Sequence, residues 1–278
     1  MEIRTLENTS PAEITTCFNA AFAGYFVPIT ATEEALKNRW RSSRVNLNLS
    51  VGAFENGKLV SFIFTGIDNW QGKKTAYNAG TGVLPEFRGR KLVSELYDFA
   101  FPLFRKNNIE QCTLEVITEN AKAIKAYQNV GFQIARTLHC YKGEIKPAET
   151  ENTFDHKIPT VFDLEELTAL QPFSFSWDNC NASIAANPEV YECHQLLENG
   201  HLKAYALLNP ANSYLAQIGY DKTAAETYGL ALLREISKTN PALRINNVAA
   251  EAPETIHLLT SAGLENHVSQ YEMHMLLN

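Results

Sequence analysis

The chain has 278 residues, 45% hydrophobic and 20% charged, a mix that can bury one large core or two smaller ones. Its net charge of -7 argues against wholesale nucleic-acid binding, so any anion site has to be local. The five cysteines, Cys17, Cys112, Cys140, Cys180 and Cys193, are widely spaced with no C-x-x-C, which reads as a reduced, cytoplasmic chain without disulfide framework or zinc knuckle.

The opening MEIRTLENTSPAEI has no basic stretch followed by an apolar one, so no signal peptide is expected. No apolar run reaches about 18 residues, so no membrane span is expected either. Residues 3–6 read as a short strand. Asn8, Thr9 and Ser10 precede Pro11 and Glu13, good chemistry for a helix start, and that helix should run to about Phe22. GYFVPI breaks it, and residues 32–43 read as a second helix. Residues 50–55 and 59–67 are apolar and β-branched runs joined by Asn56-Gly57, the strongest short hairpin signal. Residues 74–83 complete a three-stranded meander, with residues 68–70 as a linking loop. A basic turn, Arg88-Gly89-Arg90-Lys91, leads into a helix to about Lys106. Residues 112–118 read as a strand, 120–130 as a helix stopped by Gly131, and 132–142 as a further strand.

From residue 143 to 157 the composition shifts to Lys, Pro, Glu, Thr and Asn, as in a linker. The second half of the chain looks like a worn copy of the first. Glu55-Asn56-Gly57 with Leu59 recurs as Glu198-Asn199-Gly200 with Leu202, and residues 116–132 align without gaps to 248–264, retaining Val248, Glu251, Ile256 and Gly263.

The order meander, V-x-P, Arg/Gly turn, helix, strand and then N-x-x-A-x-x-x-Y-x-x-x-G-F resembles the GNAT superfamily of acetyl-CoA-dependent N-acetyltransferases. The resemblance covers about residues 1–145. It implies a mixed α+β fold, a mostly antiparallel central sheet flanked by helices, followed by a second, smaller GNAT-like domain. The expected organisation is a catalytic domain at 1–145, a linker at 146–157 and a degenerate domain at 158–278.

The family's pyrophosphate turn is [RQ]-x-x-G-x-[GA]. Here it reads Arg88-Gly89-Arg90-Lys91-Leu92-Val93, which keeps the first position and replaces both small residues. Lys91 retains an N–H and adds charge, but loses the close backbone approach that glycine allows. The resemblance assigns Arg88, Gly89, Arg90, Lys91, Leu92, Val93, Asn120 and Ala123 to coenzyme A, and a backbone N–H at Val83 or Leu84 to the acetyl carbonyl. Asn120, Ala123, Tyr127, Gly131 and Phe132 match the second motif at every specified position. Tyr127 would protonate the leaving thiolate, and Glu115, within Leu114-Glu115-Val116, would take the proton from the attacking amine. The ordinary alternatives are a core tyrosine and an edge glutamate. Tyr25, Phe26 and Pro28, with Asp68, Asn69 and Trp70, would line the acceptor pocket.

The implied reaction is direct attack of an amine on acetyl-CoA in a ternary complex, without metal. The acceptor is a small-molecule amine or a peptide N-terminus, with neither nucleic acid nor membrane as partner. The alternative is a non-catalytic acyl-CoA-binding or interaction module, motivated by the missing glycines. The second half has Ala252 and Leu259 where the first has Asn120 and Tyr127, and no Arg-Gly turn between Gly219 and Leu233, so one acetyl-CoA per chain is expected.

Overall fold

The computed structural model describes residues 1–23, 30–146 and 154–277. They divide into two compact units, one comprising residues 1–135 with 272–278 and the other residues 136–271. The boundary falls before the expected residue 145, and the last residues of the chain return to the first unit.

The first unit opens with β1 (Glu2–Thr5), α1 (Pro11–Phe22) and α2 (Glu33–Ser42). Ser10 and Thr32 cap the two helices, their side chains accepting the N–H groups of Glu13 and Ala35. The meander is β2 (Val51–Glu55), β3 (Lys58–Trp70) and β4 (Lys73–Val83). Asn56 and Gly57 both take positive φ, 51° and 77°, as a type I′ hairpin turn requires. Gln71 and Gly72 repeat that pattern at 52° and 77°, so the second turn lies there. This corrects the expected loop at residues 68–70: Asp68, Asn69 and Trp70 are strand residues paired with Thr75, Lys74 and Lys73. The helix α3 (Leu92–Lys106), β5 (Gln111–Ile117) and α4 (Ala121–Val130) come next, and β6 (Gln133–Glu144) leads out.

The sheet of this unit runs β1-β2-β3-β4-β5. Its core centres on Phe62 and Phe64, whose rings stack 4.4 Å apart, with Phe18 of α1 packed on both and Trp40 of α2 edge-on to Phe64. On the other face α3 buries Leu92, Leu96, Tyr97, Ala100 and Phe104, the spacing of one helical stripe.

The second unit repeats the order. Asp155–Lys157, inside the expected linker, form β7, which pairs with β8 (Glu192–Glu198). Two short helices, α5 (Leu164–Thr168) and α6 (Asn181–Ala186), lie between them. Then come β9 (His201–Asn209), β10 (Tyr214–Tyr220), α7 (Ala225–Ser237), β11 (Ala242–Ala249), α8 (Pro253–Ala262) and β12 (Glu265–Leu276). Asn199-Gly200 copies the φ values of Asn56-Gly57, and Gly263 ends α8 in the left-handed region as Gly131 ends α4, at 105° against 116°. The 136–144 part of β6 pairs antiparallel with β11 in this unit.

One repeat position differs in a measurable way. Asn120 caps α4 by accepting the Ala123 N–H at 3.1 Å, whereas Ala252 at the start of α8 makes no side-chain cap. Asn120→Ala should therefore lower the unfolding free energy by about 1 kcal/mol, read from a urea titration.

Candidate active site

The site begins with a failure of strand pairing. β4 and β5 run parallel with Thr75, Ala76 and Tyr77 opposite Gln111, Cys112 and Thr113, and the register stops there. β4 continues to Val83 and β5 to Ile117, leaving two parallel strand ends with a notch between them. Such a notch at the carboxyl ends of strands is a general ligand position in open sheets. Its cause lies on β4: the register with β3 slips between Gly80 and Asn78, so Ala79 is an extra, bulged residue. A bulge bends its strand and sharpens the local twist.

Backbone donors face this notch. The Leu84 N–H is used, donating to the Val60 carbonyl at 2.9 Å. Of the two candidate carbonyl donors, Leu84 is thus engaged within the sheet. Alternation along an antiparallel strand then turns the Val83 N–H, and that of Thr81, to the opposite edge, toward β5.

Beyond β4, Pro85–Phe87 form a single 3-10 turn and the chain enters α3 through Arg88, Gly89, Arg90 and Lys91. Gly89 and Lys91 have φ of 78° and 62°. Lys91 therefore holds the left-handed conformation that a glycine adopts without strain. Leu92 and Val93 open the helix, and their N–H groups have no intrahelical acceptor in any α-helix. Together with the positive end of the helix dipole they form an anion cradle. The Arg88 side chain is spoken for, its Nη2 donating to the Ala21 carbonyl at 2.9 Å and its Nε to the Val83 carbonyl at 3.3 Å. Arg88 ties the end of α1 to the turn, a positioning task. Arg90 donates to the Glu86 carbonyl at 3.2 Å and stacks over Phe87. Lys91→Gly should raise the unfolding free energy by about 1 kcal/mol, because it removes both left-handed strain and a cation at a helix start. Chemical denaturation of the two proteins measures it.

Tyr127 sits on α4, 9% exposed, with its ring 6.0 Å from that of Phe132. Glu115 is half-buried on β5 between buried Leu114 and Val116, as strand alternation predicts. Its Oε2 accepts a 2.5 Å hydrogen bond from the Tyr77 hydroxyl on β4. Tyr77 was missed from the sequence: only the parallel register of β4 and β5 brings it beside Glu115, and no local motif encodes that pairing. Asn120 and Ala123 meet in the α4 cap described above.

The expected acceptor residues are distributed differently. Asp68 is paired with Arg44, whose Nε lies 2.8 Å from its carboxylate. Trp70 is buried, edge-on to His274 at 5.3 Å. Tyr25, Phe26 and Pro28 lie outside the described residues. Covalent acyl transfer through a thiol is disfavoured on β5, because burial pushes the Cys112 thiol far above its ordinary range. Among the described residues no group of three or more His, Cys, Asp or Glu is arranged to hold a metal ion, and no helix is long and apolar enough to cross a membrane.

The second unit has the same notch, filled. β10 and β11 pair only at Tyr214 and Arg244, and β10 carries a bulge at Ala216 opposite β9. Matching the bulges sets Leu215 against Asn78 and Gln217 against Gly80. Gly80 leaves room, since a Cβ there would touch only Phe64, at 3.5 Å. Gln217 instead reaches the carbonyl of Asn179 at 2.7 Å. Asn179, itself 1% exposed, donates to the Asn246 carbonyl on β11 and accepts from the Tyr214 hydroxyl on β10. The chain thus plugs this notch with its own residues. Before α7, the place of the Arg-Gly turn is taken by Asp221. Hydrogen bonds from Thr223 and Lys203 hold its carboxyl down at about 2, so it is an anion that repels another.

Residues 14–132 match the acetyltransferase (GNAT) family. Over its whole length it has the fold of tandem GNAT proteins. A tandem GNAT protein from the clavulanic acid biosynthesis pathway superimposes with a TM-score of 0.69 at 16% identity, covering 100% of this chain and 98% of that one. A GCN5-related N-acetyltransferase from Sphaerobacter thermophilus gives a TM-score of 0.71 at 12% identity, covering 100% and 96%. In sequence, the chain is 32% identical over 89 residues to N-alpha-acetyltransferase MAK3 from Arabidopsis thaliana, which is 32% of this chain and 47% of that relative. The match therefore spans about half of the relative's length.

Proposed function

We propose that the protein transfers an acetyl group from acetyl-CoA to a primary amine, by direct attack in a ternary complex. The observation that carries this reading is the notch between β4 and β5, with an anion cradle at one end and Tyr127 and Glu115 on the two elements that come after it. The amide groups of Gly89 to Val93 and the Lys91 ammonium take the pyrophosphate. Three cations against the positive end of a helix dipole are locally unfavourable, and a bound polyanion offsets that cost. The Val83 N–H receives the acetyl carbonyl as negative charge develops on its oxygen. Glu115, held by Tyr77, takes the proton of the incoming ammonium, and Tyr127 donates to the departing sulfur. The acceptor is a small-molecule amine or a peptide N-terminus. The name of the Arabidopsis relative, an N-alpha-acetyltransferase, favours trying N-termini first. The test is thiol release from acetyl-CoA across a panel of amines and short peptides. Release no faster than the uncatalysed background with every acceptor would refute enzymatic transfer and leave a binding module.

The plug at Asn179 and the anion at Asp221 support a single cofactor site. Titration calorimetry should give one acetyl-CoA per chain, and two tight sites would contradict it. The cradle gives a second test. Lys91→Ala should weaken acetyl-CoA by about tenfold, since a charge-assisted hydrogen bond is worth roughly 1.5–3 kcal/mol. Acetyl-pantetheine, which lacks the pyrophosphate, should be unaffected. Equal weakening of both ligands would remove Lys91 from the phosphate site.

A further inference from the structure

We infer that Asn78 is a positioning residue for acyl transfer: its carboxamide clamps the β4 bulge to α3 and so fixes the direction of the Thr81 and Val83 N–H groups. The inference rests on the acetyl-transfer reading, because that reading assigns the Val83 N–H to the acetyl carbonyl; the Thr81 N–H points to the same edge of β4.

The clamp uses three of the four hydrogen-bonding positions of the amide. Next to the bulge at Ala79, Asn78 Oδ1 accepts the Gly80 N–H at 3.0 Å. Asn78 Nδ2 donates to Thr81 Oγ1 at 2.7 Å and to the Tyr97 hydroxyl at 2.8 Å. The amide orientation follows from chemistry, since a backbone N–H can only face the oxygen. Tyr97 is a fixed anchor. It is 2% exposed, and its ring packs against Phe101 and Phe132, at 5.3 and 5.4 Å. Phe132 in turn packs against Tyr127. One side chain thus links the strand that carries the acyl-directed amides to the helix that carries the anion cradle, and through Tyr97 to the packing around the proton donor.

The second unit shows that a bulge alone does not require this amide. Its bulge at Ala216 forms in the same register with Leu215 in the place of Asn78. That unit has a plugged notch and nothing to aim. The clamp accompanies the open notch, not the bulge.

The test is Asn78→Leu, which imports the second unit's residue with the same branched heavy-atom skeleton, beside Asn78→Asp. Aspartate can accept from Gly80 and, with donor and acceptor reversed, from the Thr81 and Tyr97 hydroxyls. With any amine that the parent acetylates, Asn78→Leu should lower kcat by about 10–100-fold, short of the 10²–10³ seen when an oxyanion donor is removed outright. Affinity for CoA itself, held by the cradle, should change less than about twofold. Asn78→Asp should recover most of the lost kcat. In the free protein, the amide resonances of Thr81 and Val83 should shift in Asn78→Leu and return in Asn78→Asp. Should Asn78→Leu fail to fold, Tyr97→Phe, which removes one partner of the clamp, is expected to move kcat and both amides in the same direction to a lesser degree. Unmoved amides with parental kcat overturn the inference. So does a parallel loss of kcat and CoA affinity that aspartate does not restore, which marks Asn78 as purely structural. A parent that releases no thiol with any amine overturns the acetyl-transfer reading, and the role in transfer with it, while the amide shifts still decide whether Asn78 is the clamp.

Discussion

Tyr127→Phe is expected to lower turnover by about 10²–10⁴-fold, the usual contribution of a positioned general acid, with little change in acetyl-CoA affinity. The substitution keeps the ring, and hence the packing on Phe132 that fixes α4 against the site. It removes only the hydroxyl. The departing group is a thiolate with a reference pKa near 8.5, and a phenol lies near 10. Proton donation in water is therefore slightly uphill. On the proposed reading, the phenol would contribute a directed hydrogen bond while charge builds on sulfur. The measurement is kcat with a saturating amine, beside the Kd of acetyl-CoA. Parental turnover in the phenylalanine variant would make Tyr127 an ordinary core residue of an amphipathic helix.

Glu115→Gln should show a loss that depends on pH. At neutral pH an amine acceptor arrives mostly as the ammonium and needs a base, so the deficit is largest there, again about 10²–10⁴-fold. As pH approaches the amine's own pKa, the substrate arrives already deprotonated and the deficit shrinks. Glutamine keeps the shape and can still accept from Tyr77, so a conformational collapse of the β4–β5 contact does not mimic the effect. Tyr77→Phe separates positioning from proton transfer. It removes the 2.5 Å hydrogen bond to the carboxylate and leaves the base. A hydrogen bond to the charged form favours that form, so its loss should move the acidic limb of the rate profile to higher pH without abolishing activity. A deficit in Glu115→Gln that stays constant from neutral pH to the amine's pKa would contradict the base assignment.

Much of the fold was legible because its signals are local. Asn56-Gly57 and Asn199-Gly200 specify positive φ twice over, and Gly131 and Gly263 stop their helices for the same steric reason. Ser10 before Pro11 marks a helix start. The errors have a common origin in non-local structure. Gln71-Gly72 makes the same turn as Asn56-Gly57, yet glutamine has no strong preference for it, so Asp68 to Trp70 read as loop. Trp70 is packed against His274, some two hundred residues away in the chain. The bulge at Ala79, the Tyr77–Glu115 hydrogen bond and the Asn179 plug all depend on which strands meet, and a single sequence carries no such record. Arg88 matched its motif position, but its side chain holds backbone carbonyls, a distinction between grip and scaffold that residue type alone cannot make.

The return of residues 272–277 to the first unit bears on how the protein is made. The Leu277 N–H donates to the Glu110 carbonyl, and β12 lies beside β5 there. A ribosome delivers the first 135 residues early, yet the unit they belong to lacks its last segment until residues 272–277 emerge. At ordinary elongation rates that delay is on the order of ten seconds. The other unit, contiguous from 136 to 271, can close first. During the interval the outer edge of β5 stands open, and an unpaired strand edge invites pairing with another nascent chain. The N-terminal half is thus the later of the two to finish, and its dependence on chaperones during synthesis should exceed that of its partner unit.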